Sequence, residues 1–439
     1  MRESKARILV PAGSIYRVSG PMTIIVEEGR VLLGGWVYKS GDKISISSYR
    51  SYAFKALEQS VVSLILMPGS SIEKPVPEEE PLEKWIEVAD NIISSCDHED
   101  SGKPCIVYVT GPTDSGKTSF CSFLANRAIA KNKSVAIIDA DVGQSDIGPP
   151  GFISIAFPEK PFLWMRELWA KELVLVGSIT PSPVVGRIIT GIKRLLETAR
   201  SKNIDLVIID SDGWVSGMQA LEYRIDVVRS IDPSYIVVVG DDVLHASLSK
   251  IIGMNNKIVF IESPKRVITR NRTDRRFLRR ESYKKYFEDA KELEISINDI
   301  VVIGSCLFSG INITNSLSNT LSNNMQCKIL YASQLPGSIC LLVSEDCELS
   351  RTDLQGLANT MNVGEVLVIR KGDEKGVIAS VLDDKMREVA PAIIESLDVE
   401  NMVLKIRTRY KGVVKGIVVS KLKITRDFEE AGKPTRYLI

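Results

Sequence analysis

Histidine is nearly absent from this 439-residue sequence, which contains only two. They are His98 and His245, and the seven cysteines (Cys96, Cys105, Cys121, Cys306, Cys327, Cys340, Cys347) form no C-x-x-C pair. Both shortages argue against a zinc site built at ligand spacing. An odd number of irregularly spaced cysteines predicts reduced thiols in an intracellular protein. Net charge is also missing, with 56 Lys+Arg against 55 Asp+Glu, so a polyanionic partner must be met by local clustering of charge. No apolar run approaches the roughly 18 residues of a membrane-spanning helix. The opening Met1-Arg2-Glu3-Ser4-Lys5 leads into no apolar segment of a secretory signal. The expectation is a soluble cytoplasmic protein, nuclear in a eukaryotic source, with no membrane partner.

What is present is a globular composition, 44% hydrophobic and 25% charged, at a length that suggests two to four domains. Residues 1–75 read as a small β-rich domain. Short apolar runs at residues 8–10, 23–26, 31–33 and 61–66 are separated by Gly20-Pro21, Glu28-Gly29, Ser40-Gly41-Asp42 and Pro68-Gly69. Residues 71–81, with Pro75, Pro77 and Glu78-Glu79-Glu80, read as a linker, and apolar spacing over residues 85–95 predicts an amphipathic helix. From residue 103 to 262 the pattern changes to alternating strands and helices. Strands are predicted at residues 105–109, 134–139, 173–176, 205–209, 235–239 and 257–261, with helices at 117–130, 184–201, 218–230 and 243–252. Continuous apolar runs such as Leu206-Val207-Ile208-Ile209 fit strands covered on both faces. The fold class is therefore α/β: a central P-loop NTPase domain (76–290) with a mostly parallel sheet, flanked by β-rich domains at 1–75 and 291–439. Within 291–439, strands are expected near 300–303, 366–369, 377–381, 402–406 and 412–419, and a helix near 384–397.

The P-loop assignment rests on Gly111-Pro112-Thr113-Asp114-Ser115-Gly116-Lys117-Thr118, a full G-x-x-x-x-G-K-[ST] pattern between a strand and a helix. Glycines let backbone N–H groups turn in around a phosphate; Lys117 supplies charge to the outer phosphates, Thr118 a hydroxyl to Mg²⁺, and the new helix its dipole. Residues 111–119, ending in Ser119, are the expected nucleotide-binding stretch.

Two acidic strand ends compete to serve metal and nucleophile: Asp139-Ala140-Asp141-Val142-Gly143-Gln144, and Asp210, which closes a second apolar run. Spacing alone does not rank them. A carboxylate beside Mg²⁺ can hold a metal-bound water or accept a proton from an attacking hydroxyl. Trp214, in Ser211-Asp212-Gly213-Trp214, falls in a loop at the ligand edge of the sheet and reads either as a packing residue or as a platform for a nucleobase. Residues 265–285 hold ten basic side chains (Lys265, Arg266, Arg270, Arg272, Arg275, Arg276, Arg279, Arg280, Lys284, Lys285) against Asp274 and Glu281. Such a run is either a solvated helix face or a lid (264–287) whose arginines clamp a transferring phosphoryl group.

These elements together resemble the polynucleotide 5′-hydroxyl kinases, the family that includes the kinase subunit of the pre-mRNA cleavage complex, its rRNA-processing relative and archaeal homologues. The resemblance rests on GPTDSGKT (111–118), DVGQ (141–144), PPG (149–151), SDGW (211–214) and RNRTDRRFLRRESYKKYF (270–287). It implies ATP and Mg²⁺ as cofactors, and transfer of the γ-phosphate to the 5′-hydroxyl of RNA, with DNA a further acceptor and RNA-processing subunits as partners. By position, Lys117 holds the phosphates, Thr118 the metal and Asp141 acts as general base. Gln144, Ser211 and Trp214 grip the acceptor, and Arg270, Arg275 and Arg279 are lid arginines. Ser211 stands where the family often has threonine, and Asp139 is a second carboxylate, assigned to the metal with Thr118. Three rivals remain: a non-catalytic ATP-binding scaffold, a P-loop GTPase, which would need an [N/T]-K-x-D motif where Gly240-Asp241-Asp242-Val243 stands, and a small-molecule kinase.

Overall fold

In a computed structural model the chain is described over residues 4–96, 103–252, 257–265, 269–321 and 327–431; Arg266 of the basic run lies outside these. The chain divides into two compact units. The first comprises residues 1–148, 153–171 and 185–275; the second comprises 149–152, 172–184 and 276–439.

The first unit opens on two antiparallel sheets that share one core. One runs Ser4–Val10, Ser60–Leu66, Met22–Glu28, Lys43–Ile46; the other Trp36–Lys39, Arg30–Leu33, Ser51–Ala56, Ile15–Ser19, Ser71–Glu73. Along Met22–Glu28 the period of two turns Met22, Ile24 and Val26 inward, where they meet Val18, Phe54 and Leu64. The expected linker is structured at both ends. Ser71–Glu73 pairs with Arg17–Ser19, and Glu80 accepts a buried hydrogen bond from Arg17 Nε at 2.8 Å.

The central sheet of this unit runs in the order Phe152–Ala156, Val135–Ala140, Leu206–Ser211, Cys105–Thr110, Tyr235–Val239, Lys257–Ile261. All pair in parallel except Phe152–Ala156, which is antiparallel to Val135–Ala140. Every residue of Cys105–Thr110 and Leu206–Ser211 is buried, the burial that continuous apolar runs foretell. Connecting helices are Lys117–Ala130, Val185–Ser201, Met218–Ile231 and Asp242–Ile252. Lys117–Ala130 is buried almost all round, through Phe120, Cys121, Phe123, Leu124, Ala125 and Ala128, so it is an interior helix that fixes its own N-terminus against the sheet.

The second unit contains a six-stranded sheet, Lys291–Ser296, Val403–Thr408, Glu388–Asp398, Val377–Leu382, Gly416–Lys423, Val301–Ile303, and a four-stranded one, Ile311–Asn312, Ile329–Leu335, Ser338–Val343, Glu365–Arg370. The helix expected near 384–397 is instead the strand Glu388–Asp398. Pro391 removes a helix donor and clashes with the preceding turn, and Val389, Ile393 and Ile394 are β-branched; antiparallel neighbours on both sides decide the matter.

The expectation of reduced thiols is also corrected. Cys96 is bonded to Cys105, Cys306 to Cys340 and Cys327 to Cys347, leaving Cys121 free and buried. Sequence spacing shows only local C-x-x-C pairs, whereas these bridges join residues 9, 34 and 20 apart that the fold brings together. Among the described residues no helix is long and apolar enough to cross a membrane, and no cluster of three or more His, Cys, Asp or Glu could hold a metal by itself.

Candidate active site

The P-loop begins where Cys105–Thr110 ends, near the middle of its sheet. Gly111 has φ +150° and Gly116 +101°, and Asp114 takes φ +59° between them; these left-handed positions wrap the backbone around a central space. Gly116 caps Lys117–Ala130 without any side-chain hydrogen bond, so the first N–H groups of the helix remain directed at that space. Lys117 Nζ donates to the Pro112 carbonyl at 2.6 Å. Burial lowers the pKa of this ammonium, opposed by Asp210 and Asp141.

Asp139 and Asp210 are cross-strand partners on neighbouring parallel strands, yet their carboxylates do different things. The Thr118 hydroxyl donates to Asp210 Oδ2 at 2.7 Å, and Asp210 Oδ1 is buried with no hydrogen-bond partner. Asp139 is saturated: Oδ1 accepts from Asp141 N, and Oδ2 from the Ser145 hydroxyl, Asp146 N and Ile147 N at 2.7–3.0 Å. Its carboxylate folds the 141–147 loop. Burial and then Asp210 push Asp139 up to about 8, and burial pushes Asp210 up to about 7 against the pull of Lys117 and Thr118.

That loop carries Asp141, whose Oδ1 accepts from Gly143 N (3.0 Å) and Gln144 N (2.9 Å). Burial, followed by Asp212, raises its pKa. A single cavity is lined by Thr113, Asp114, Lys117, Thr118 and Ser119 on one side and by Asp141, Gln144, Asp146, Arg270 and Arg275 on the other. The structure thus brings the P-loop, the first acidic strand end (through Asp141 and Gln144) and two of the three expected lid arginines around one space. Arg275 Nη2 meets Asp114 at 2.7 Å, and its Nε donates to the Arg270 carbonyl at 3.2 Å. Burial and the neighbouring Arg50 lower the pKa of Arg270.

Arg279 belongs to the second unit, where its guanidinium is ion-paired with Glu430, while Arg276 meets Glu429 at 2.8 Å. Ser211 closes the strand Leu206–Ser211, and Trp214 lies in the loop beyond it. A side chain at Gly213 would stand 2.8 Å from Thr113 N and 2.9 Å from its Cα, so only glycine lets this loop press against the P-loop. Trp214 is half-buried and stacks on Tyr223, centroids 5.8 Å apart.

The residues that sequence reasoning missed are mainly basic. Arg50, from the N-terminal β-sheets, reaches Asp146 at 2.5 Å, which also accepts from Arg166 Nε (2.9 Å) and Trp164 Nε1 (2.8 Å). Burial pushes Asp146 up, but Arg50, Arg166 and Arg270 outweigh it and hold the carboxyl below its ordinary range. Arg50 lies just before the strand Ser51–Ala56 with no motif around it, so no sequence signal pointed to it; Asp146 follows the DVGQ stretch by two residues and could have been found there.

A Gly-rich loop at the carboxyl end of a central strand, with a Thr–Asp pair beside it, defines a P-loop nucleotide-binding protein. Residues 111–289 match the family described as mRNA cleavage and polyadenylation factor CLP1 P-loop. Through that segment the chain is similar to members of that family. It is 29% identical over 338 residues to a polyribonucleotide 5′-hydroxyl-kinase of Methanocaldococcus jannaschii, covering 76% of this chain and 91% of that one. It is 34% identical over 234 residues to a polyribonucleotide 5′-hydroxyl-kinase of Pyrococcus horikoshii, covering 53% of this chain and 63% of the relative. In fold it is similar to Clp1p in a solved complex with Pcf11p, with a TM-score of 0.63 at 13% identity over 96% of this chain and 98% of that one.

Proposed function

We propose that this chain is an ATP-dependent polynucleotide kinase that transfers the γ-phosphate to the 5′-hydroxyl of RNA. The observation that carries the reading is the one cavity in which Lys117 and Thr118 face Asp141, Gln144, Arg270 and Arg275; the polyribonucleotide 5′-hydroxyl-kinases it resembles support the choice of acceptor.

Residues 111–119 hold the donor's phosphates through backbone N–H groups and Lys117, which leaves the Pro112 carbonyl for them. Thr118 and Asp210 would hold Mg²⁺, which would supply charge neutralisation to the donor's phosphates. The free buried oxygen of Asp210 fits that role, whereas the saturated Asp139 instead shapes the loop, so Asp210 replaces it in the metal assignment. Asp141 accepts the 5′-hydroxyl proton as the oxygen–phosphorus bond forms and the γ-phosphorus bond to the β-phosphate oxygen breaks. A raised pKa makes this carboxylate a better base than a solvated one. Arg270 and Arg275 stabilise charge on the transferring group. Gln144, Ser211 and Trp214 hold the acceptor's terminal nucleotide.

The test is transfer of labelled γ-phosphate to a 5′-hydroxyl oligonucleotide by purified protein, with Lys117→Ala and Asp141→Asn as controls. Transfer that needs both residues supports the reading. Tight ATP binding without transfer would make the chain a nucleotide-held scaffold instead.

A further inference from the structure

Behind Trp214 lies a buried knot of side chains with no part in binding the donor. Arg224, on Met218–Ile231, is wholly buried. Its Nη1 donates to the Tyr108 hydroxyl at 2.9 Å and to Asp212 Oδ2 at 3.3 Å. Its Nη2 donates to the carbonyl of Asp212 at 2.8 Å, to Asp212 Oδ1 at 2.5 Å, and to the carbonyl of Trp214 at 3.0 Å. Asp212 in turn accepts from Trp214 N at 2.8 Å and from the Tyr223 hydroxyl at 2.9 Å. The Arg224 guanidinium stands over the Tyr223 ring, 4.7 Å from its centroid, and the indole of Trp214 stacks on the same ring, 5.8 Å away and tilted by 25°.

Thus both the amide and the carbonyl of Trp214 are tied down, and its indole is backed by a ring that is itself held at its hydroxyl and contacted by the Arg224 guanidinium. A loop residue meant only to pack needs none of this, because ordering a loop costs backbone entropy that a loose one keeps. Fixing an aromatic ring in advance is instead what lowers the ordering cost of stacking a flexible ligand on it. The loop so fixed is also the one that meets the P-loop at Gly213 and Thr113.

We propose that Tyr223 and Arg224 are positioning residues that hold Trp214 as a preset stacking platform for the terminal base of the acceptor. This rests on the kinase reading above and adds two residues to it. Neither touches a ligand: Arg224 fixes the backbone and Tyr223 the plane of the ring.

The experiment compares Tyr223→Leu, which keeps apolar volume but removes the ring, with Tyr223→Phe, which keeps the ring and loses one hydrogen bond. Steady-state transfer to a 5′-hydroxyl oligonucleotide is measured alongside direct binding, read by quenching of tryptophan fluorescence against a Trp214→Phe control. Tyr223→Leu is expected to raise the oligonucleotide KM and Kd about tenfold, equivalent to roughly 1.4 kcal/mol, with the ATP KM unchanged; Tyr223→Phe stays within about threefold of wild type. A folded Tyr223→Leu protein, judged by its thermal melt, with unchanged oligonucleotide affinity overturns the proposal. So does a parallel rise in the ATP KM, which would mean general loosening. Oligonucleotide binding that depends on Tyr223 but comes without phosphoryl transfer would sustain the platform while sinking the kinase reading. Absence of oligonucleotide binding by the wild type would sink both.

Discussion

The hydroxyl of Thr118 donates to Asp210 Oδ2 across 2.7 Å, joining the first turn of the P-loop helix to the end of Leu206–Ser211. The second oxygen of Asp210 is buried without a partner, while the cross-strand neighbour Asp139 has none to spare. Asp210→Asn keeps an acceptor for Thr118 and loses the charge. It is expected to weaken Mg²⁺ dependence about 10- to 100-fold, read from a Mg²⁺ titration of phosphoryl transfer. An equal loss in Asp139→Asn and none in Asp210→Asn would return the metal to Asp139.

Lys117 gives a complementary loss. Removing a preorganised charge at the phosphates lowers kcat by about 100- to 1,000-fold, so Lys117→Ala should retain the melting temperature of the nucleotide-free protein yet lose transfer. Retained transfer would mean that the ammonium held by Pro112 is not a phosphate ligand.

Arg275 and Arg279 should separate cleanly. Arg275 lines the cavity and meets Asp114, so Arg275→Ala is expected to lower kcat by about 1,000-fold, the lower end for an arginine that stabilises phosphoryl transfer. Arg279 is held by Glu430. Glu430→Gln loosens that hold, and its kcat rises if Arg279 serves the same reaction. An unchanged kcat in both Glu430→Gln and Arg279→Ala confines Arg279 to its ion pair.

The pH dependence of stability follows from Asp139. Its folded pKa of about 8 lies far above the roughly 3.9 of an unfolded aspartate. Folding therefore retains a proton that the unfolded chain has released, so the contribution is full below about pH 4 and declines as pH rises toward 8. Asp210, raised to about 7, acts in the same direction. The denaturation midpoint of the nucleotide-free protein should fall across this window, and Asp139→Asn, which cannot ionise, should flatten the slope. A slope unchanged by that substitution assigns it to other groups.

Thiol counting tests the three bridges. Alkylation of unfolded, unreduced protein should label Cys121 alone, and reduction should expose all seven cysteines. Closing loops of this size contributes about 3 kcal/mol each, so reduction should lower the melting temperature.

Much of the central domain was legible because its signals are local. Apolar runs ending in Asp, a glycine-spaced loop and a helix-length gap each report on their own neighbourhood, and Tyr235–Val239 and Lys257–Ile261 form with the bounds read from sequence. Phe152–Ala156 was missed because it follows the Pro149-Pro150-Gly151 turn and pairs in the opposite sense. Glu388–Asp398 was misread because neighbouring strands outweigh local spacing. At the site, Asp141, Gln144 and Lys117 were visible through motif spacing, but the division of labour between Asp139 and Asp210 was not. It depends on which backbone donors reach which oxygen, and sequence distance carries no trace of that. Arg50 and Arg224 were invisible for the same reason, since their partners lie 96 and 12 residues away.

Asn126, on the P-loop helix, is wholly buried. Its side-chain amide donates to the carbonyls of Gly34 (2.7 Å) and Phe162 (2.6 Å), and its oxygen accepts from Phe162 N. One of those carbonyls belongs to the N-terminal β-sheets, as do Arg17 and Arg50, whose buried charges are matched by Glu80 and Asp146. A chain cut at residue 75 or 76 would take the Gly34 carbonyl from Asn126, the Arg17 guanidinium from Glu80, and from Asp146 one of its two arginine partners. Leaving such groups unmet costs about 1–3 kcal/mol each, and more for the charged ones. The smallest piece of this protein that keeps these contacts is therefore longer than the segment that matches the family, and the N-terminal β-sheets belong to the same packed body as the P-loop helix rather than forming an appendage to it.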